Sequence, residues 1–305
     1  MRREIACDES GWAGENLLDA GTDVFAHASV HMPAERAASI VGEVRERIGS
    51  PATEYKANHL LRARHRGVLE WLIDGSGPLG SDAHVYLVEK PFAVVRALAA
   101  ALVCDTYPDG QVDEVARRLQ HDGPNALGRA AWSRLLVEAN VALRSKRRIG
   151  PPEPIGSPVG NGVVSAAVDL VSRRAVTPWS GVDPGVPAST LDPLLSPVVR
   201  SAAYWTADGS VVTIMHHRQN TLTDERIESL VADPLVRGRV IGIRQAGALD
   251  DARVQIADFL AGIARAIASA ERGGHGDSRL TELLRPYLDR HSVWADEPSR
   301  TRLFG

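Results

Sequence analysis

Cysteine is almost absent from this chain of 305 residues, and the two that occur, Cys7 and Cys104, lie far apart in the sequence. Two cysteines provide neither a disulfide framework nor a cluster of thiolate metal ligands. Such low cysteine usage is typical of the reducing cytosol. We therefore expect a cytoplasmic protein in which both thiols are buried as small apolar side chains.

Long apolar runs are also missing. The longest, ALAAALVC at 97–104, is too short to cross a bilayer, and the N-terminal MRREIACDESG has no apolar core of the kind a signal peptide needs. The sequence therefore predicts no membrane partner.

Aromatic residues and net charge are both low. With 4 Phe, 5 Tyr and 6 Trp among 44% hydrophobic residues, the core must be built mainly from aliphatic side chains. A formal net charge of −3 argues against a protein that coats DNA through bulk charge, although a local basic groove stays open. The basic runs RARHR at 62–66 and RSKRR at 144–148 could contact phosphates, but such runs are more often solvated faces.

The hydrophobic pattern predicts a mixed α/β protein. Strands are expected at 4–7, 23–32 and 84–90, and helices at 33–49 and 58–73. Alternating strands and helices return near the C-terminal end, where we expect strands at 210–217 and 239–244 and helices at 223–231, 254–268 and 278–288. The sheet is therefore built from both ends of the chain.

The middle of the chain has a different character. It is helical in places but interrupted by dense Pro and Gly, which favours a largely helical insertion over a separate globular domain. We therefore divide the chain into the first part of the core at 1–104, the insertion at 105–206, the second part of the core at 207–290 and a tail at 291–305.

Two carboxylates, Asp8 and Asp258, are candidates for one site. Asp8 follows the first strand, and Asp258 lies within the helix after the last strand, roughly 200° round from the apolar Ile256. Asp258 therefore lies either on a solvated back face or in a cleft, and Asp8 in DESG could be only a turn residue. The topology allows the two to meet at one edge of the sheet.

Four short motifs resemble, in order and spacing, the domain of unknown function 3800 family. They are CDESG at 7–11, EYK at 54–56, VEK at 88–90 and VQIADFLAG at 254–262. The resemblance covers roughly 1–95 and 205–270. It implies a ribonuclease H-like fold, with a mixed sheet flanked by helices, in which clustered Asp and Glu bind divalent metal for phosphodiester cleavage.

Carried over residue by residue, the resemblance implies that Asp8, Glu54 and Asp258 bind Mg²⁺ or Mn²⁺, with Glu89 as a fourth catalytic carboxylate. Carboxylates are the hard oxygen ligands that these ions prefer, and two such ions can activate water and stabilise the leaving oxygen. Three basic residues would bind the substrate phosphate: Lys56, Lys90 and Arg62.

His217 departs from the family pattern. Members similar to this chain tend to carry Asp at this place, and the short DS pair expected after VIGI is replaced by Arg244 and Gln245. A histidine can act as a base, a proton donor or a metal ligand, so we include His217 among the catalytic candidates. Three interpretations stay open: a metal-dependent nuclease acting on DNA or RNA, an enzyme for small phosphate esters, and a catalytically degenerate binding protein.

The helix at 254–268 is apolar enough to form a homodimer interface, although packing against its own sheet explains it more simply.

Overall fold

The computed structural model describes most of the chain. The described residues are 1–12, 14, 16–18, 21–49, 55–103, 109–144, 162–172 and 192–305. Glu54, Cys104 and residues 145–148 of the second basic run therefore lie outside the described residues. The chain divides into two compact units: the first comprises 1–12, 24–88 and 197–305, and the second comprises 13–23 and 89–196.

Five strands form one mixed sheet. They are β1 (Arg2–Ser10), β2 (Val24–Val30), β3 (Ala83–Glu89), β4 (Val211–His217) and β5 (Val240–Ala246). Their order across the sheet is β3-β2-β1-β4-β5. β1 is antiparallel to β2 and parallel to β4, and β4 is parallel to β5. The carboxyl ends of β1, β4 and β5 therefore share one edge, and both ends of the chain contribute to the sheet, as predicted.

The helices carry the remaining regular structure. In chain order they are α1 (Ala34–Ile48), α2 (Ala57–Leu60), α3 (Arg66–Ile73), α4 (Lys90–Val103), α5 (Asp109–Leu127), α6 (Arg129–Arg144), α7 (Gly162–Ser172), α8 (Leu195–Trp205), α9 (Asp224–Ala232), α10 (Ala252–Arg272), α11 (Ser278–Leu284) and α12 (Glu297–Phe304). None of those in the described part of the chain combines the length and apolarity needed to cross a membrane.

The core lies between the sheet and α10. Ala26 and Ala28 of β2 face this core, and Phe259 and Leu260 of α10 fill it with fully buried side chains. Each buried side chain of that size contributes roughly 1.5–3 kcal/mol of transfer free energy. Asp251 begins the helix, because its carboxylate accepts a hydrogen bond from the backbone N–H of Arg253. The small side chains of β2 let the helix lie close to the sheet.

Two predicted elements have different bounds in the structure. β1 continues past 4–7 to Ser10, because Asp8, Glu9 and Ser10 pair with the neighbouring strand β2. The single helix predicted over 58–73 is wrong: α2 ends at Leu60, and Arg62 takes an extended conformation before a 3-10 turn leads into α3.

A side chain explains that break. The Nδ1–H of His65 donates to the carbonyl oxygen of His59 over 2.7 Å, so a ring nitrogen supplies a partner to a carbonyl at the end of α2. Apolar periodicity alone could not reveal this, because the pattern continues through the turn.

The C-terminal stretch is more ordered than a tail. α12 lies within 291–305, and Leu303 on it is fully buried. Trp294 is also buried, and its indole N–H donates to the hydroxyl of Ser299 over 2.9 Å. These few apolar side chains fix a stretch that is otherwise strongly polar.

Helices make up most of the described part of the second unit, and they account for most of the described residues of the predicted insertion at 105–206. α4 to α7 pack against one another. Gly123 lets the ring of Trp132 approach α5, because a Cβ at this glycine would lie only 2.3 Å from a ring carbon. In the first unit, Cys7 is fully buried and free, which agrees with its expected role as a small apolar side chain.

Candidate active site

Asp8 and His217 are neighbours on two parallel strands. Cys7 pairs with His216 in register, so the residue after each lies beside the other. The Nδ1–H of His217 donates to Oδ1 of Asp8 over 3.1 Å, and the backbone N–H of Glu9 donates to the same oxygen over 2.7 Å. The other oxygen, Oδ2 of Asp8, is buried and has no hydrogen-bond partner among the described residues.

Asp258 points toward this strand end rather than toward bulk solvent. Only 17% of its side chain is exposed, and Nζ of Lys56 lies 3.6 Å from its Oδ1. Burial, followed by the negative charge of Asp8, raises the pKa of Asp258 to about 6, while Lys56 and His217 oppose the increase. Like Asp8, it keeps one buried oxygen, Oδ2, without a partner among the described residues. Asp258 therefore faces the end of β1 and does not lie on a solvated back face of the helix.

Gly262 explains how Lys56 comes close to α10. A Cβ at Gly262 would lie 2.2 Å from Cβ of Ala57, the residue after Lys56, so only glycine permits this approach of α2. The same hypothetical atom would lie 3.9 Å from the hydroxyl of Ser10. The small residues of the LAG stretch therefore bring α2, β1 and α10 together around the carboxylates.

His217 is partly exposed, with 30% of its side chain accessible. The hydrogen bond to Asp8 raises the pKa of His217, and the negative charge of Asp8 adds to this effect. Burial and the positive charge of Lys56 act in the opposite direction. The geometry is that of a carboxylate that orients an imidazole and stabilises its protonated form.

Glu9 and His216 form a second pair on the opposite face of the sheet. Burial and the charge of Asp8 raise the pKa of Glu9 to about 8, so the carboxyl group is mainly neutral at pH 7. Its Oε2 lies 3.6 Å from Nε2 of His216. Burial lowers the pKa of His216, whose Nδ1–H donates to the backbone carbonyl of His217 over 2.8 Å.

Next to this pair, a series of buried polar side chains runs from strand to strand toward α8. The rings of His27 and His216 stack with centroids 5.4 Å apart. The hydroxyl of Ser201 on α8 lies 3.1 Å from Nδ1 of His27 and 3.4 Å from Nδ1 of His84. Nε2–H of His84 donates to Asp289 over 3.0 Å. Because one hydroxyl has one proton, Ser201 donates to His84 and accepts from His27.

The sequence alone did not predict this series of buried polar contacts. The signal lay in the alternation of each strand, because Glu9 and His27 face the side opposite to Asp8 and pair across β1 and β2. Which helix would cover that side could not be deduced from periodicity.

The structure describes three of the four other predicted site residues. Glu54 falls outside the described residues. Arg62 is exposed, and its guanidinium makes no hydrogen bond or ion pair with any described residue. Glu89 and Lys90 are buried members of the second unit, where the ammonium of Lys90 donates to the hydroxyl of Thr22 over 2.5 Å. The site assembled in the first unit therefore consists of Asp8, Lys56, His217 and Asp258.

A cavity of about 340 Å³ near α11 is a separate feature. Its buried acid, Glu271, already accepts hydrogen bonds from Thr281 and Arg302. The buried acid of this cavity is therefore already satisfied, in contrast to the carboxylates at the strand end.

Within the described residues, no three His, Cys, Asp or Glu side chains form a group that could hold a metal ion. No protein-family model matches the chain, and no curated protein or solved structure is significantly similar to it. The family resemblance of the four motifs therefore stays a prediction.

Proposed function

We propose that the chain is a Mg²⁺- or Mn²⁺-dependent hydrolase of phosphodiesters, acting as a nuclease on DNA or RNA. One observation carries this proposal: Asp8 and Asp258 lie close enough for the charge of Asp8 to raise the pKa of Asp258, and each has a buried carboxylate oxygen that no described residue satisfies. Two like charges held together out of water are costly unless a cation lies between or beside them.

The chemistry of these donors fits a hard divalent cation. Oδ2 of Asp8 and Oδ2 of Asp258 would hold the ion, and the family resemblance adds Glu54. Mg²⁺ is commonly bound by only one or two carboxylates, with waters and substrate phosphate as the other ligands, so a site need not contain three protein groups. A bound ion would lower the pKa of a coordinated water and stabilise negative charge on the phosphate.

His217 is suited to move a proton in this reaction. Its Nδ1–H is held by Oδ1 of Asp8, so in the neutral ring Nε2 carries the lone pair. Nε2 can accept a proton from the attacking water, and the protonated ring can then donate to the leaving oxygen. Asp8 stabilises the charged ring, which is the part that a carboxylate plays in an Asp–His pair.

Lys56 is suited to bind a phosphate oxygen. Its side chain is 42% exposed, and its Nζ lies 3.6 Å from Oδ1 of Asp258, so a positive charge stands beside the carboxylates. Arg62, at the end of α2, would add a second positive charge. In the fold, a mixed sheet flanked by helices agrees with what the resemblance implies, and this supports the ribonuclease H-like part of the proposal.

The alternative is a binding protein that has lost cleavage, and His217 favours it. An imidazole stands where members of the family that the motifs resemble tend to carry Asp, so the site has less negative charge with which to hold two ions. A binding protein would retain affinity for metal or nucleic acid without turnover.

Hydrolysis of bis(p-nitrophenyl) phosphate, a plasmid and a structured RNA, each in Mn²⁺, tests the proposal. We expect metal-dependent activity that falls by at least about 100-fold in Asp8→Asn and Asp258→Asn, as for loss of a group essential to catalysis. Asp224→Asn removes an exposed carboxylate on α9 and serves as the control. Unchanged activity in both site variants would overturn the proposal, and metal binding without turnover would favour the binding protein.

A further inference from the structure

Arg265 is a half-buried cation beside the proposed site. It lies on α10 seven residues after Asp258, which is two helical turns and therefore the same side of the helix. Its Nε–H donates to the hydroxyl of Ser10 over 3.0 Å. Ser10 is two residues after Asp8 on β1, so its side chain faces the same side of the sheet as that of Asp8.

Among the residues that the structure describes, no acid balances the charge of Arg265. Its contact with Ser10 is the single polar contact that it makes with the described residues. Arg253 and Arg66 in the first unit differ in this respect: Arg253 pairs with Asp251 over 2.7 Å, and Arg66 pairs with Asp277 over 2.6 Å. A guanidinium has five N–H donors in a planar fork, of which Arg265 uses one. The remaining donors match an anion with several oxygens.

The glycine of the DESG motif leaves room for the side chain of Arg265. Gly11 has a φ of +87°, and a Cβ there would lie 2.7 Å from Cδ of Arg265 and 2.3 Å from the carbonyl oxygen of Val24. A side chain at this position would therefore displace the arginine. The glycine after Ser10 thus serves the placement of Arg265 as well as the turn itself.

The spacing indicates the kind of anion. Seven residues of helix span about 10 Å. Successive phosphates of a strand are separated by a sugar and lie farther apart than the axial rise of about 3.4 Å per nucleotide, so this distance corresponds to one or two nucleotides. A small phosphate ester held at the carboxylates could not reach so far.

Building on the function proposed above, we propose that Arg265 binds a backbone phosphate one or two nucleotides from the carboxylates, which makes the substrate a polynucleotide rather than a small phosphate ester. Arg265 then sets the length of substrate that the protein holds. The carboxylates and His217 act on the phosphate being cleaved, and Arg265 anchors the strand beside them.

Fluorescence anisotropy with labelled oligonucleotides tests this without requiring cleavage. The probes are twelve-nucleotide and two-nucleotide oligo(dT) and oligo(U), with Ca²⁺ in place of Mn²⁺. We expect Arg265→Ala to weaken binding of the long probe about threefold to tenfold and to reduce its salt dependence by about one phosphate contact. Binding of the two-nucleotide probe should not change, and Arg265→Lys should retain most of the salt dependence.

Arg237→Ala is the matched control. It removes the same charge from a guanidinium that donates to the backbone carbonyl of Ala232, and it precedes β5, at the edge of the sheet opposite to Asp8. An equal loss in this control, an equal loss for both probe lengths, or no binding of the long probe by wild type would overturn the inference. Failure of the proposed function is recognised separately, because wild type would then hydrolyse neither the plasmid nor the structured RNA in Mn²⁺.

Discussion

Replacing Asp258 by Asn should stabilise the protein at neutral pH. The carboxylate is largely buried, and the negative charge of Asp8 acts on it, so the pKa of Asp258 rises from 3.8 to about 6. The charged form present at pH 7 is therefore disfavoured in the folded protein. Asparagine keeps the shape and a hydrogen-bonding group while removing that charge.

The size of the effect follows from the pKa. One pKa unit corresponds to about 1.4 kcal/mol, so the ionised carboxylate costs the folded state up to about 3 kcal/mol relative to the unfolded chain. Because the folded-state pKa is raised, this cost is absent below pH 3.8, where Asp258 is protonated in both states. It grows as the pH rises toward 6, as the unfolded chain releases its proton first, and is constant above that.

Urea unfolding at pH 4 and pH 7.5 measures this difference. We expect wild type and Asp258→Asn to have similar stability at pH 4, and the variant to be more stable by about 1–3 kcal/mol at pH 7.5. Asp224→Asn removes an exposed carboxylate and should show no such pH-dependent gain. The reasoning is refuted if the variant has no advantage at pH 7.5, or if its advantage is as large at pH 4.

Three further predictions test the packing and hydrogen bonds around the site. NMR titration should give His217 a pKa above 6.5, and Asp8→Asn should lower it because the hydrogen bond that stabilises the charged ring is weakened; an unchanged value would contradict the contact. Gly262→Ala should lower the free energy of unfolding in urea by about 1–3 kcal/mol, because the new methyl group would clash with α2. Gly42→Ala, in open space on α1, should be neutral or stabilising. Similar effects of the two substitutions would argue against the close approach of α2 to α10. Ser201→Ala should lower the free energy of unfolding by about 1–3 kcal/mol, because the buried His27 and His84 lose their shared hydrogen-bond partner. A neutral effect would show that these buried polar contacts are not needed for stability.

The main elements of the fold could be predicted from periodicity. The bounds of α1 follow from Pro33 before it and from Gly49 after it, and Gly49 has the left-handed backbone conformation that ends a helix. The strands β2, β3, β4 and β5 also agree with the apolar pattern. The break at Arg62 could not be predicted, because it depends on a ring nitrogen that bonds a backbone carbonyl six residues away.

Part of the candidate site could also be predicted. Parallel strand ends share one edge, which brings Asp8 near His217, and α10 then carries Asp258 to the same place. The pairing of Glu9 with His216 was not predicted, because it depends on which side of the sheet each side chain faces. The contact of Arg265 with Ser10 likewise depends on how α10 crosses the strand end, which no local pattern reveals.

Calorimetry with Mn²⁺ tests the central claim most directly, because that claim is that Asp8 and Asp258 belong to one cation site. Wild type, Asp8→Asn, Asp258→Asn and the double variant would be titrated at pH 7.5, with Asp224→Asn as the control. The account predicts that wild type and the control bind Mn²⁺, that either site substitution abolishes or strongly weakens binding, and that the double variant loses no more. Wild type that binds no Mn²⁺ at millimolar concentration, or site variants that bind as tightly as wild type, would contradict it.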